Sequence, residues 1–273
     1  MTRELAICAL VRSPSPSLKV YITQSMAETP AQSVIGEGDA AALAYNLESV
    51  RARIAAAATA AGRPSPPSLV AVSKTKPVEL LRIAYDRGQR DFGENYVQEV
   101  VAKAPQMPAD VRWHFIGHLQ SNKAKDLVAA APNLFCVHTV DSLKLAQELQ
   151  KRIAAARPDN PLAIMVQVNT SAEASKSGVA PADCAALAAE VARSCPLLRV
   201  CGLMCIGKYS ADEGSALSDF EALVQCRVLT AEALGVGAAS LELSMGMSHD
   251  FEQAVAAGAT AVRVGSTIFG RRG

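Results

Sequence analysis

Short apolar runs alternate with amphipathic segments along most of the chain. Between residues 39 and 61 apolar side chains recur at helical spacing, and a glycine and a proline then end the segment, which predicts one amphipathic helix. Its apolar face carries Leu43, Leu47, Val50 and Ile54. Eight apolar runs of strand length follow, most of them separated by one helical pattern: residues 69–74, 90–93, 112–116, 134–138, 162–168, 198–204, 240–243 and 261–264.

The character of these runs predicts how the strands are arranged. They show little strict alternation of apolar and polar residues, as is typical of parallel strands that are buried on both faces. Eight strand–helix units favour an α/β protein built as a single (β/α)₈ TIM barrel, with the amphipathic helix as an extra N-terminal element. The alternative is a doubly wound open sheet, which would need a glycine-rich turn where the chain has Ser73-Lys74-Thr75-Lys76-Pro77.

The first 38 residues differ from the rest of the chain. Residues 12–38 are rich in Ser, Pro, Thr, Gly and Gln and lack apolar periodicity. We therefore expect residues 1–38 to form a flexible extension, with Met26 as an alternative start, and residues 39–273 to form the barrel domain. A targeting peptide is the less favoured interpretation, because Arg12 interrupts the short apolar run of residues 5–11 and no small-residue cleavage site follows closely.

Composition narrows the class of protein. Among 273 residues, 50% are hydrophobic and 19% are charged, which excludes a disordered chain. A net charge of +1 and an aromatic content of 4% argue against a nucleic-acid partner. No apolar run approaches the roughly 18 residues of a membrane span, so a membrane partner is not expected. The seven cysteines are scattered without a CxxC pair or zinc spacing, which indicates reduced thiols in a cytoplasmic protein and no metal site.

The candidate chemistry lies where strands end, since the active sites of TIM barrels lie at the C-terminal ends of the strands. Lys74 ends the first strand, and a lysine that is removed from water has a lowered pKa because burial disfavours its charged form. A neutral amine can condense with a carbonyl group to form a Schiff base. The alternative is a lysine that extends to solvent, and the run Ser-Lys-Thr-Lys-Pro does not itself decide between Lys74 and Lys76.

The last two strands indicate a phosphate site. Ser244 and Gly246 follow strand seven, and Gly265 and Ser266 follow strand eight, where TIM barrels commonly bind phosphate groups. The alternative is that these are ordinary turn and capping residues. Arg263 lies within strand eight, where it could either contact a pyridine nitrogen or form a structural salt bridge.

Seven stretches of residues 40–273, several of them long, resemble the pyridoxal 5′-phosphate (PLP) homeostasis protein family. They are VSKTKP (72–77), FGENYVQE (92–99), WHFIGHLQSNK (113–123), KSG (176–178), GLM (202–204), LSMGMS (243–248) and VRVGSTIFG (262–270). The resemblance implies the fold-type III barrel of PLP proteins, which is the N-terminal barrel of alanine racemase. It also implies that PLP is held as an internal aldimine on a lysine of strand one. The cofactor-binding residues that it implies are Lys74, Asn95, His114, Ser244, Gly246, Arg263, Gly265 and Ser266.

The same resemblance implies a carrier or regulator in PLP (vitamin B6) and amino-acid homeostasis, with PLP-dependent apo-enzymes as partners, and we expect a monomer. One alternative is an amino-acid racemase or a related PLP enzyme. We disfavour it because the chain stops nine residues after strand eight, without the length for the second domain that supplies a racemase's tyrosine. A second alternative is a phosphate-sugar aldolase that uses Lys74 without PLP. No catalytic residue is assigned.

Overall fold

The eight apolar runs form eight strands in the computed structural model of the protein, which describes residues 36–171, 173, 176–207 and 213–271. The strands are β1 Ser68–Val72, β2 Asp91–Glu94, β3 Arg112–Phe115, β4 Leu134–Val140, β5 Leu162–Gln167, β6 Leu198–Met204, β7 Glu242–Ser244 and β8 Ala261–Val264. All pair in parallel with their sequence neighbours, and β8 pairs with β1, so the sheet is a closed barrel. The predicted TIM barrel is confirmed, and the alternative open sheet is wrong.

Helices cover the outside of the barrel. They are α1 Glu37–Ala60, α2 Val78–Asp86, α3 Val97–Lys103, α4 Ala124–Ala130, α5 Leu143–Ala156, α6 Cys184–Ser194, α7 Glu213–Leu234, α8 Phe251–Ala256 and α9 Ser266–Phe269. Short 3₁₀ helices occur at Ala104–Gln106, Ser121–Lys123, Pro181–Asp183 and Ala238–Ser240. No helix in the described ranges combines the length and the apolarity that crossing a bilayer requires.

The extra helix α1 packs against α2, α8 and α9, and it thereby takes a place in the outer layer of the barrel. Its buried residues include the four predicted from helical spacing, Leu43, Leu47, Val50 and Ile54. The helix begins at Glu37, two residues before the predicted start of the domain. Apart from its last three residues, the predicted flexible extension of residues 1–38 lies outside the described residues.

The inside of the barrel is filled with side chains. Cys136 on β4 approaches Cys201 on β6 with 3.8 Å between the Sγ atoms, although these two strands are not neighbours in the sheet. Such a contact is possible only across the barrel interior, where the buried cluster also contains Ala163, Met165 and Met204. Because the interior is occupied, a ligand has room only at a mouth of the barrel.

Candidate functional site

A cavity of about 480 Å³ opens at the C-terminal ends of the strands, and this size suits a small organic ligand. We call it the cleft. It is lined by Val72, Lys74, Lys76, Asn95, Ile116, Ile206, Met247, Ser248, His249, Arg263, Gly265, Ser266, Gly270 and Arg271. Among these described residues are four cationic side chains and no aspartate or glutamate, so the cleft favours an anionic ligand.

The cleft brings together five of the eight site residues predicted from the sequence. These are Lys74, Asn95, Arg263, Gly265 and Ser266. The other three, His114, Ser244 and Gly246, are not part of its lining. The His114 side chain instead lies 2.9 Å from Asp91, at the N-terminal end of β2. Lys74 and Lys76, which the sequence alone does not separate, both line the cleft, and the Lys76 ammonium donates to the Arg271 carbonyl at 2.8 Å.

The loop that carries Lys74 is held on both sides. Before it, the Ser73 hydroxyl donates to Glu94 Oε1 at 2.6 Å, and the Ser73 carbonyl accepts from the Lys103 ammonium at 2.8 Å. After it, Thr75 adopts a left-handed conformation with φ of 61°, and its N–H donates to Glu99 Oε2 at 2.7 Å. Since a threonine pays a steric penalty in that conformation, the bond to Glu99 fixes a turn that the sequence alone would not favour.

A buried ion cluster underlies this loop. The Lys103 ammonium lies 2.7 Å from Glu94 Oε1 and 2.5 Å from Glu99 Oε2, and the side chain of Glu94 is fully buried. Burial raises the pKa of Glu94 to about 7, against the opposing effects of Lys103 and the Ser73 hydroxyl. Glu94 Oε2 is buried without a hydrogen-bond partner among the described residues. The cluster therefore stabilises the loop through Lys103, but it leaves one buried carboxylate oxygen of Glu94 without a hydrogen bond.

Asn95 follows β2 and lines the cleft. Its side-chain oxygen is buried and, within the described ranges, has no hydrogen-bond partner. The backbone of Asn95 is placed by Gly117, because a Cβ added to Gly117 would lie 2.0 Å from the Asn95 carbonyl oxygen. A buried polar atom of this kind marks a position where a ligand can complete the hydrogen bonding.

The loops after β7 and β8 line the cleft on the side next to β1. Gly246 has φ of 89°, and a Cβ there would lie 2.5 Å from the Ala254 Cβ, so helix α8 requires a glycine at this position. At Gly265 a Cβ would lie 3.0 Å from the Val72 carbonyl oxygen of β1. The Gly265 N–H donates to the Ser248 hydroxyl at 3.2 Å. Both glycines thus serve packing directly, and Ser248 joins the wall beside Gly265.

Arg263 lies at the floor of the cleft and is 4% exposed. Its Nη1 donates to the Ser244 hydroxyl at 2.7 Å and its Nη2 donates to the Cys205 carbonyl at 2.8 Å. Burial lowers the pKa of the guanidinium below its usual value, although an arginine keeps its proton. The Ser244 hydroxyl therefore points into the barrel, toward Arg263, and not into the cleft.

Three residues of the site region went unassigned at the level of sequence. Lys103 lies four residues after Glu99, and this spacing, which places two side chains on one helix face, could have indicated their ion pair. Ser248 stands in the loop after β7, where the phosphate site was predicted. His138 stands near the end of β4 with no local pattern to show its contact with Ser244, which comes from a distant strand.

Comparison with known proteins places these features in a family context. The family model described as alanine racemase, N-terminal domain, matches residues 40–273. The pyridoxal phosphate homeostasis protein of Mus musculus is 47% identical over 212 residues, which cover 76% of this chain and 77% of that protein. The protein of the same name from Pseudomonas aeruginosa is 46% identical over 233 residues, which cover 84% of this chain and 96% of that protein.

Solved structures show the same architecture. PipY of Synechococcus elongatus, in a structure with PLP bound, is 34% identical with a TM-score of 0.67, and the match covers 84% of this chain and 100% of that chain. Alanine racemase of Corynebacterium glutamicum is 14% identical with a TM-score of 0.65, covering 85% of this chain and 62% of that chain. The latter likeness concerns the fold alone.

Proposed function

The chain belongs to the pyridoxal phosphate homeostasis protein family, and on that premise we propose that it binds PLP in the cleft and acts in PLP homeostasis. The observation that carries the proposal is the composition of the cleft. It combines Lys74 in the turn after β1, a buried arginine on β8 and the Gly265-Ser266 segment in one cavity.

The residues present fit the chemistry of PLP. Its phosphate is an anion, and the described lining provides four cations without a carboxylate. The hydroxyls of Ser248 and Ser266 stand on the wall beside Gly265, where they can donate to phosphate oxygens. Asn95 offers a buried amide to the polar substituents of the ring, and Arg263 offers a permanent donor to the ring nitrogen. The solved structure of PipY with PLP bound supports PLP as the ligand.

We assign the covalent link to Lys74. Its amine would condense with the aldehyde of PLP, forming a C=N bond and releasing one water molecule. The turn fixed by Ser73 on one side and Thr75 on the other holds the Lys74 backbone at the edge of the cleft. When bound, PLP supplies an electron-withdrawing ring, while the protein's own residues bind and orient it.

In the cell we propose that the protein carries PLP to PLP-dependent apo-enzymes as a cytoplasmic monomer. The name shared by the curated relatives supports the homeostasis role. The six cysteines in the described ranges are all buried free thiols, which agrees with a reducing compartment. The expectation of a carrier and not a racemase stays a prediction, and conversion of L- to D-amino acids by the purified protein would contradict it.

The assignment is tested by absorption spectra of the PLP-loaded protein before and after borohydride reduction, followed by peptide mapping. We expect an absorption band of the bound cofactor that reduction removes, with the modification on Lys74. Lys74→Ala should abolish the band, whereas the matched variant Lys76→Ala should keep it. Covalent PLP at the wild-type level in Lys74→Ala would overturn the assignment, and a colourless wild type after incubation with PLP would overturn the proposed function.

A further inference from the structure

A continuous chain of side-chain hydrogen bonds crosses the barrel from its N-terminal end to the floor of the cleft. We call it the barrel chain; its members are Asp91, His114, His138, Ser244 and Arg263. The separations are 2.9 Å from Asp91 Oδ1 to His114 Nε2, 2.8 Å from His114 Nδ1 to His138 Nε2, 3.0 Å from His138 Nδ1 to Ser244 Oγ and 2.7 Å from Ser244 Oγ to Arg263 Nη1. The five residues come from five different strands, β2, β3, β4, β7 and β8, so no local segment of the chain accounts for their alignment.

The two ends of the barrel chain fix its direction. Arg263 can only donate, and an ionised Asp91 can only accept. Although burial opposes ionisation, the hydrogen bonds from His114 and Arg112 hold the pKa of Asp91 below its usual value. His114 must therefore donate from Nε2 to Asp91.

The middle of the barrel chain then has one fully satisfied arrangement when both histidines are neutral. His114 accepts at Nδ1 from His138 Nε2–H, and His138 accepts at Nδ1 from the Ser244 hydroxyl. Ser244 in turn accepts from Arg263, so every donor points toward Asp91. Burial, with smaller contributions from His114 and Arg263, lowers the pKa of His138 well below its usual range, which agrees with a neutral ring.

A proton on His114 Nδ1 would reverse this arrangement. His138 would then donate to Ser244 Oγ, which would receive two donors and would have to turn its own hydroxyl proton elsewhere. The charged groups packed around the pair are Asp91 and Arg112 at one end and Arg263 at the other. The neutral, one-way arrangement is therefore the one that holds Ser244 as an oriented acceptor for the guanidinium.

From this geometry we propose that His138 is a positioning residue for Arg263. By accepting the Ser244 hydroxyl, it fixes the orientation of the guanidinium at the floor of the cleft, where a heteroaromatic ring nitrogen of the ligand would be received. The inference rests on the proposed function for the identity of that ligand. The arrangement of protons in the barrel chain is a property of the protein alone.

The first test uses the protein without PLP. Histidine ¹⁵N NMR of the full chain, which has four histidines, reports which ring nitrogen carries the proton. The variants His118→Gln and His249→Gln identify the signals of the two histidines outside the barrel chain. We expect the Nε2–H tautomer for both His114 and His138. An Nδ1–H tautomer or a doubly protonated ring at His138 near neutral pH would overturn the proposal, whether or not the protein binds PLP.

The second test compares PLP affinity among variants. His138→Leu and Ser244→Ala should each weaken PLP binding about tenfold or more, which is the loss of one buried hydrogen bond to a charged group. His138→Asn places an amide atom near the former Nδ1 and should recover most of the affinity. Cys136→Ala, on the same strand and inside the same barrel but outside the barrel chain, is the matched control and should bind as the wild type does.

Circular dichroism confirms that each variant is folded before its affinity is compared. Wild-type affinity in His138→Leu, or an equal loss in Cys136→Ala and His138→Leu, would show that the barrel chain only fills space and would overturn the proposal. Failure of the wild type to bind PLP would instead refute the proposed function, and the NMR result would still decide the arrangement of the barrel chain.

Discussion

Replacing Glu94 by glutamine should remove a pH dependence from the stability of the protein. Burial raises the pKa of Glu94 from 4.5 to about 7, so the folded state holds this proton more tightly than the unfolded state does. The contribution of Glu94 is therefore most favourable below pH 4.5, and it is lost as the pH rises to 7. Because a tenfold change in proton affinity equals about 1.4 kcal/mol, the full difference is roughly 3 kcal/mol.

Glutamine imitates the protonated carboxyl, since its Oε1 can still accept from Lys103 and Ser73. Between pH 5 and pH 8 the free energy of unfolding of the wild type should fall by about 2 kcal/mol more than that of Glu94→Gln. The measurement is denaturant titration at several pH values across this range. Lys103 keeps its ion pair with Glu99 in the variant, so the loop of Lys74 should stay in place.

The matched control is Glu99→Gln, which removes the other carboxylate on Lys103 and leaves Glu94 in place. It should retain the fall in stability between pH 5 and pH 8. If Glu94→Gln were instead less stable than the wild type at pH 8 and had the same pH profile, attraction to Lys103 would outweigh burial at Glu94, and the reasoning would be refuted.

Further predictions concern three glycines and one helix cap. Gly246→Ala should lower the free energy of unfolding by about 3 kcal/mol or more, because φ is 89° and its Cβ would clash with α8. Gly258 has φ of 107°, but an added Cβ would meet open space, so denaturant titration of Gly258→Ala should show a loss of only about 1–2 kcal/mol. Equal losses of stability in the two variants would contradict the clash at Gly246. Gly117→Ala should weaken PLP binding in a fluorescence titration because it displaces the Asn95 backbone, and unchanged affinity would contradict that coupling. Ser142→Ala should cost about 1 kcal/mol by removing the side-chain cap of α5, and an unchanged Tm would disprove it.

The number and order of the strands could be predicted from the sequence because buried parallel strands are short and apolar. Their ends were harder to predict where polar residues continue a strand. β4 extends to Val140, beyond the predicted end at residue 138. His138 and Thr139 can remain in the strand because their polar atoms are bonded, His138 to Ser244 and Thr139 to the Gly117 carbonyl at 2.7 Å. A sequence pattern shows that such residues are polar but not that a distant strand satisfies them.

The same limit applies to the site. Lys74, Asn95 and Arg263 could be placed at the cleft because each stands at the end of a strand or within a family motif. The direction of the Ser244 hydroxyl could not be predicted, since a residue at the end of β7 can face either a phosphate or the barrel interior. The direction of this hydroxyl depends on Arg263 and His138, which come from two other strands.

Closure of the barrel has a consequence for the order of assembly. Lys74 follows β1 and Arg263 lies on β8, and these two residues meet at the cleft because the two strands pair. During synthesis β1 is made before β8, and the two strands cannot pair until β8 has left the ribosome. Such a long-range contact forms late because the loop entropy must be overcome before the pairing stabilises it. Under the proposed function, PLP binding would therefore require the β1–β8 pairing, and it would stabilise the closed barrel over partly folded forms that lack this pairing.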